Sequence, residues 1–575
     1  MSDMSDSSSR IPFRPALGLV ALLLVFSVWA GGFIHRSSFV VEGRHYYCLF
    51  DDAMISMTYA RNLTNGYGLN WARWGAPVEG FTHPLWTFLM IPVNALPVPL
   101  RDRSLLVQIL SLLTLAGTAV AVRRLMLDHF SPEGARNGLP AALLTLFYYP
   151  LAYWALMGME TGLQALLTVA AVHLALTTAH DGRDRSFLLW IVCAAAFLLR
   201  MDMLLLVAAA QLYLLWRQGL RWMANSRWLA GLAVFVGMTL AYGTFRWLYF
   251  HDLLPNTYYL KLTGVPIAVR LLRGLSVMSQ FARDHLAVLL AAGLGTAVFL
   301  RRNRRLILPA AVFALYCAYS VYVGGDAWDG DIPIRANRFV AFVMPLLFVL
   351  LNAVFNEALA AWRRRHEGIA VDDAAGRFVL ALAVVAALLI ADGLWLSPKA
   401  DDFWREIALT RRPPLTERHQ RVVAQIVAFR RLVRPGATVA TAWAGIPAYF
   451  SDYKMIDILG YNDRVIARMA PVTVLDEDDF DMYRPGHAKW NEQRLLAEQR
   501  PDAFFQIWGV RRGMGKIAEV LPSYGYRRRG MFWVRRDSPY IAPRPVGPLA
   551  ARHLPGSDDE GSFQSQEPSE ESAPR

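Results

Sequence analysis

The sequence predicts an α-helical polytopic membrane protein that ends in a small α/β domain. Three observations carry this. Of 575 residues, 55% are hydrophobic and only 18% are charged, against about 45–50% and 25% in soluble domains. The apolar residues fall in about eleven long blocks of the kind that crosses a bilayer. Arginines and lysines cluster in alternate connections between those blocks, which marks one side of the membrane.

The composition excludes a disordered, fibrous or ordinary cytosolic chain. The formal charge of +13 is basic enough for nucleic acid. Its placement in short clusters between apolar blocks points instead to membrane orientation. Cys48, Cys193 and Cys317 are isolated and odd in number, so neither a disulfide framework nor a zinc site is expected.

The expected spans are 14–34, 103–122, 138–157, 161–179, 186–199, 203–217, 228–250, 285–300, 305–323, 336–356 and 377–396. The first follows Arg10 and Arg14 and reads as an uncleaved span. Two, 186–199 and 203–217, are short for a bilayer and meet at Arg200-Met201-Asp202. The clusters Arg10/Arg14, Arg123/Arg124/Arg136, Arg183/Arg185, Arg217/Arg221/Arg227, Arg301/Arg302/Arg304/Arg305 and Arg363/Arg364/Arg365 should be cytoplasmic. The other side then holds 35–102, 251–284, 324–335 and everything after 397. The Pro-punctuated stretch 84–98 reads as a helix lying on the outer leaflet, and 265–280 as a second one.

Three domains follow: a transmembrane domain over 1–396 with a large first outer loop at 35–102, a soluble α/β domain over 397–548, and a disordered acidic tail over 549–575. Within the soluble domain, 437–443 and 503–508 read as buried strands, and 416–434 and 490–499 as helices. Its Trp443, Tyr449, Tyr453, Tyr461, Tyr483 and Trp490 could stack on sugar rings or fill a core.

Specific polar residues concentrate on the outer side, while mid-span positions are mostly Leu, Ala, Val and Phe. A channel or a transporter would need polar residues at mid-span, so the working site is expected at the outer surface. The first outer loop carries Phe50-Asp51-Asp52-Ala53, with the two carboxylates about one turn after a helix start. Such residues either favour the helix N-terminus electrostatically or take a proton from an attacking hydroxyl or support a metal. Asp52, Ser56 and Tyr59 would share one helix stripe. Val78-Glu79-Gly80-Phe81-Thr82-His83-Pro84 follows, with His83 in position to cap the next helix.

Taken in order, Asp51-Asp52-Ala53, Tyr59-Ala60-Arg61-Asn62, Asn65-Gly66-Tyr67-Gly68, Val78-Glu79-Gly80-Phe81-Thr82 and Pro84-Leu85-Trp86 resemble the first outer loop of GT-C glycosyltransferases. These are multi-span enzymes that use lipid-phosphate sugars. Met159-Glu160-Thr161-Gly162, Leu199-Arg200-Met201-Asp202, Leu254-Pro255-Asn256-Thr257-Tyr258-Tyr259 with Lys261, Tyr322-Val323-Gly324-Gly325-Asp326 and Asp457-Ile458-Leu459-Gly460 extend the resemblance. So do Pro485-Gly486-His487 and Arg500-Pro501-Asp502. It spans roughly 45–510 and is nearest to the terminal arabinofuranosyltransferase branch of actinobacterial cell-wall enzymes.

The resemblance implies a GT-C fold and transfer of a sugar, arabinofuranose, from a polyprenyl-phosphate donor. The acceptor would be a cell-envelope polysaccharide or glycoprotein, on the periplasmic face of a bacterial inner membrane. The N-terminus would be cytoplasmic. It implies membrane lipid and no nucleic acid as partners. Asp51 or Asp52 would be catalytic, with Asp51 favoured because the family places its essential carboxylate at the start of this motif. Arg200, Lys261, Arg335 and Arg338 would bind the donor phosphate. Arg200 could instead be tied to Asp202. Glu79, His83, Glu160, Asn256, Tyr258, Tyr259, Asp326 and His487 are the substrate-binding candidates. No cofactor is assigned. A divalent cation is conceivable at Asp326-Ala327-Trp328-Asp329-Gly330-Asp331, which resembles a calcium loop without its later Glu. Two other readings fit the same loops: a transporter or flippase for lipid-linked sugars, and a non-catalytic GT-C-like assembly factor.

Overall fold

The computed structural model describes residues 14–131, 138–329, 336–365, 400–472, 480, 483–507 and 515–543. The expected span 377–396 and the tail over 549–575 lie outside them.

Helix α1 (Arg14–Ser37) leads into a hairpin, β1 (Phe39–Val41) and β2 (Arg44–Tyr46), and then α2 (Asp51–Thr64) and α3 (Pro84–Ala95). The membrane part continues with α4 (Arg103–His129), α5 (Leu139–Phe147), α6 (Tyr149–Leu156), α7 (Thr161–His180), α8 (Ser186–Leu199), α9 (Leu204–Gln218) and α10 (Ser226–Phe250). It ends with α11 (Asn256–Leu262), α12 (Ile267–Asp284), α13 (Leu286–Phe299), α14 (Ile307–Val323), α15 (Arg338–Ala341) and α16 (Met344–Arg365). Among the described residues, five helical segments are long and apolar enough to cross a membrane. They are Leu17–Ser37, Arg103–His129, Thr161–His180, Ser226–Phe250 and Arg304–Val323.

The straight span expected at 138–157 is instead bent by 55° between α5 and α6. Pro150 explains the break, because it has no N–H to give Leu146 and its ring would clash there. The span expected at 336–356 is likewise divided between α15 and α16. Helix α11 meets α12 at 92°, so the stretch expected as an interfacial helix is the second limb of a sharp elbow. Helix α3 has 12 residues, about 18 Å at 1.5 Å per residue. It is too short to cross and packs on α2.

Helix α2 begins at Asp51 itself, not a turn earlier. Eleven of its 14 residues are buried, although it lies outside the membrane spans. It is covered by α3 on one side and by the C-terminal domain on another. That domain holds helix Thr416–Leu432 and a five-stranded sheet of order β4-β3-β5-β7-β6. Its strands are β3 (Thr438–Thr441), β4 (Lys454–Asp457), β5 (Ala503–Phe504), β6 (Tyr526–Arg529) and β7 (Phe532–Arg535). β4, β3 and β5 run parallel, and the β6–β7 hairpin closes the sheet antiparallel. Strands β3 and β5 are shorter than 437–443 and 503–508, and Trp508 lies outside the described residues. The helix expected at 490–499 narrows to a wide turn over Arg494–Gln499.

The two domains are joined by polar contacts. The Asp51 carboxylate accepts the backbone N–H of Ile446 at 2.7 Å and of Gly445 at 3.2 Å. It therefore satisfies the exposed N–H groups at the start of a short helix in the other domain. Arg61 donates to the Ser451 carbonyl at 3.0 Å and to Asp452 at 2.6 Å. Trp71 Nε1 donates to the Ala444 carbonyl at 2.7 Å. Gly445 is required by proximity, since a Cβ there would collide with the Asp51 backbone. Gly445→Ala should lower stability by about 1–3 kcal/mol through overpacking at this joint. Thermal unfolding in detergent checks this, and an unchanged midpoint would contradict the contact.

Candidate active site

One cavity of about 650 Å³ lies where α2, α9, α11, α14 and α15 meet the C-terminal domain. Part of its lining is apolar, including Leu204, Leu205, Leu254, Leu262, Leu315 and Ala318. Its head is polar and holds Asp52, His83, Glu160, Arg200, Lys261, Asp326 and Arg338. Tyr461 and Pro485 of the C-terminal domain help to line it.

The head is organised by arginine clamps. Arg338, the first residue of α15, reaches two carboxylates. Its Nε and Nη2 donate to Asp326 at 2.6 and 2.7 Å, and its Nη1 donates to Asp52 at 2.8 Å. Arg200 sits in extended backbone between α8 and the following tight turn. It donates to both oxygens of Asp202 and, through Nη1, to Glu160 at 2.7 Å. Its guanidinium also stacks over the Phe339 ring at 5.3 Å. Charges buried this deeply persist only when paired and hydrogen-bonded. Arg200 is thus tied to Asp202, as the sequence alternative for it has it, and to Glu160 in the cavity wall.

Lys261, near the end of α11, is different. Its carbonyl accepts from the Tyr483 hydroxyl at 3.0 Å, but its ammonium has no hydrogen bond or ion pair among the described residues, although Lys261 lines the cavity. Asp52 uses one oxygen for Arg338, and its other oxygen has no hydrogen-bond partner among the described residues. Glu160, at the start of α7, is fully buried and gives one oxygen to Arg200. His83 bridges Ser56 Oγ at 2.7 Å and, through Nδ1, faces Glu160 at 3.5 Å. It makes no side-chain cap to α3. Tyr258 lines the rim.

Several expected site residues lie elsewhere, each for a physical reason. Asp51 points away from the cavity. Adjacent helical residues are about 100° apart, and its carboxylate is consumed by Gly445 and Ile446. Burial pushes its pKa up from 3.8 to about 7, the two N–H bonds pull it down in part, and Asp52 adds repulsion. Glu79 is not a substrate ligand by placement. Tyr242 donates to it at 2.7 Å and Arg246 clamps it at 2.6 and 3.1 Å, all three being buried. Asn256 spends its amide on the carbonyls of Gly460 and Tyr461, both at 2.9 Å. Tyr259 donates to Asp252 at 2.8 Å and lies under Arg468. His487 sits behind the cavity wall, edge-on to Tyr461 at 6.0 Å. Burial holds its imidazole down at about 4. Arg335 lies outside the described residues. Trp443, Tyr449, Tyr453, Tyr483 and Trp490 are buried in hydrophobic cores, so of the six aromatic candidates only Tyr461 lines the cavity.

Sequence reasoning did not single out Tyr319, Phe339 or Arg246. Tyr316, Tyr319 and Tyr322 recur every third residue at the end of α14, the helical spacing that could have flagged the first. For Arg246 no sequence signal pointed to Glu79.

With the geometry in hand, comparison with known proteins is informative about fold. A domain of unknown function, DUF8728, matches residues 407–535, the C-terminal domain. No curated protein matches. Among solved structures, the chain is similar to ArnT from Cupriavidus metallidurans bound to undecaprenyl phosphate. The identity is 12% over 92% of this chain and 99% of that one, with a TM-score of 0.50. It is also similar to ArnT from that organism in the apo state, at 13% identity over 85% and 93% of the chains and a TM-score of 0.47. A third likeness is to the Archaeoglobus fulgidus oligosaccharyltransferase tethered with an acceptor peptide. There the identity is 11% over 78% and 64%, with a TM-score of 0.42. The chain is a multi-pass α-helical membrane protein with the GT-C fold and a C-terminal α/β sheet domain.

Two outcomes follow from the buried charges. Glu79→Gln leaves Arg246 uncompensated and should destabilise the protein by about 3–5 kcal/mol, read by thermal or denaturant unfolding. Asp51 binds its proton more tightly when folded, so between about pH 4 and pH 7 rising pH removes stability. The Asp51→Asn protein should therefore show a flatter stability profile over that window than the wild type. Identical profiles would contradict the assignment.

Proposed function

We propose that this protein is a membrane glycosyltransferase that moves a sugar, arabinofuranose, from a polyprenyl-phosphate donor to a cell-envelope glycan or glycoprotein. The reaction takes place on the periplasmic face of a bacterial inner membrane. The observation that carries this reading is the junction of two chemistries in one cavity. The apolar lining suits a prenyl chain, and the head offers a lysine ammonium and a carboxylate oxygen that have no partner among the described residues. The similarity in fold to ArnT, whose structure holds undecaprenyl phosphate, supports a lipid-phosphate ligand.

In this reading Lys261 and the unused donors of Arg338 bind the phosphate. The bond between the anomeric carbon and the phosphate oxygen breaks, and its electron pair leaves on the phosphate. These cations stabilise the charge that collects there. The acceptor oxygen becomes bonded to the anomeric carbon. Asp52 is the working carboxylate: it takes the acceptor proton directly if the sugar inverts; if configuration is retained it attacks the anomeric carbon first, the acceptor oxygen then displaces it, and the released phosphate takes the acceptor proton. Asp51 holds the roof domain and stays out of the chemistry. The basic clusters that the positive-inside rule assigns to the cytoplasm lie in the connections opposite to this set of outer loops.

The test is transfer of labelled sugar from a polyprenyl-phosphate donor by the full chain in proteoliposomes. Asp52→Asn should cut turnover by about 10²–10⁴-fold while the protein stays monodisperse. Asp51→Asn should retain most of it. Wild-type turnover by Asp52→Asn would overturn the assignment.

A further inference from the structure

The head of the cavity brings together carboxylates from two distant parts of the chain, Asp52 on α2 and Asp326 after α14. Two acidic oxygens facing a phosphate-binding cavity form the start of a divalent-cation site. Three of the four oxygens of this pair are already engaged. Both oxygens of Asp326 accept from Arg338 at 2.6 and 2.7 Å, and one oxygen of Asp52 accepts from the same guanidinium at 2.8 Å. A metal ion here would have to displace that buried, bidentate arginine or sit beside it, and a second cation beside it would be costly in a low-dielectric site. The described residues hold no cluster of three or more His, Cys, Asp or Glu able to bind a metal elsewhere.

We infer that Arg338 occupies the position, and does the electrostatic work, of a divalent cation at this site, so that the reaction proposed above runs without a metal. The guanidinium has five N–H bonds. Three are taken by Asp52 and Asp326. Among the described residues the other two, on Nη1 and Nη2, find no hydrogen-bond acceptor stronger than the Met159 sulfur at 4.0 Å. They are the donors left for a phosphate oxygen. Unlike an ion, this cation cannot dissociate. It is anchored through Asp326, and its planar fork suits a phosphate.

The inference rests on the proposed transferase reading for its chemistry, but ion binding can be read without turnover. Mn²⁺ binding to the full chain in detergent, followed by electron paramagnetic resonance, is compared for wild type, Asp326→Asn and Arg338→Gln. Wild type and Asp326→Asn should both hold no tight ion. Arg338→Gln, which keeps the size and removes the charge, should gain one. A tight Mn²⁺ in wild type that disappears in Asp326→Asn would overturn the inference, as would an Arg338→Gln protein that is folded and still binds none. In the transfer assay, wild-type turnover should be unchanged by EDTA, and loss of turnover restored by added Mg²⁺ would also overturn it. Absence of transfer under every condition would count against the proposed function and leave the ion-binding result standing.

Discussion

The site depends on one buried ion cluster: the Arg338 guanidinium between Asp52 and Asp326. These residues come from the first loop, the end of α14 and the start of α15, positions up to 286 apart in sequence. Each carboxylate would be costly to bury alone, and so would the arginine. Together they draw α2 against the helix bundle and define the head of the cavity. Arg200 repeats the device on the neighbouring wall with Glu160 and Asp202, and Arg246 repeats it with Glu79 outside the cavity. Beside these paired arginines of the cavity head, Lys261 has no such partner among the described residues.

Asp51 and Asp52 show how one peptide bond separates two physical tasks. The helical turn sends their side chains about 100° apart. One enters the interface with the C-terminal domain and the other enters the cavity. Helix α2 is therefore gripped by the C-terminal domain one residue from the carboxylate that lines the cavity. Movement of that domain, which also supplies Tyr461 and Pro485 to the cavity, would be felt at Asp52 directly.

Much of the architecture was legible in the sequence because bilayer length and hydrophobicity leave few alternatives. The GT-C fold and the C-terminal α/β sheet domain are found as expected. Bends were harder to read. Pro150 was visible, but whether it kinks a span or ends one depends on its neighbours. The site was only half legible for a related reason. Asp52, Asp326, Lys261 and Arg338 line the cavity, whereas Glu79, Asn256 and Tyr259 come from the same motifs and serve the fold. A polar residue in a loop looks the same in sequence whether it meets a ligand or a buried carbonyl. Only the partner, such as Arg246 for Glu79, tells them apart.

The central claim is that this cavity is built for a lipid phosphate held at Lys261. Native mass spectrometry of the detergent-solubilised protein with added polyprenyl phosphate tests it most directly. The account predicts one retained lipid on the wild type and loss of that lipid in Lys261→Met, with the protein still folded. Equal retention by both proteins, or none by the wild type, would contradict it.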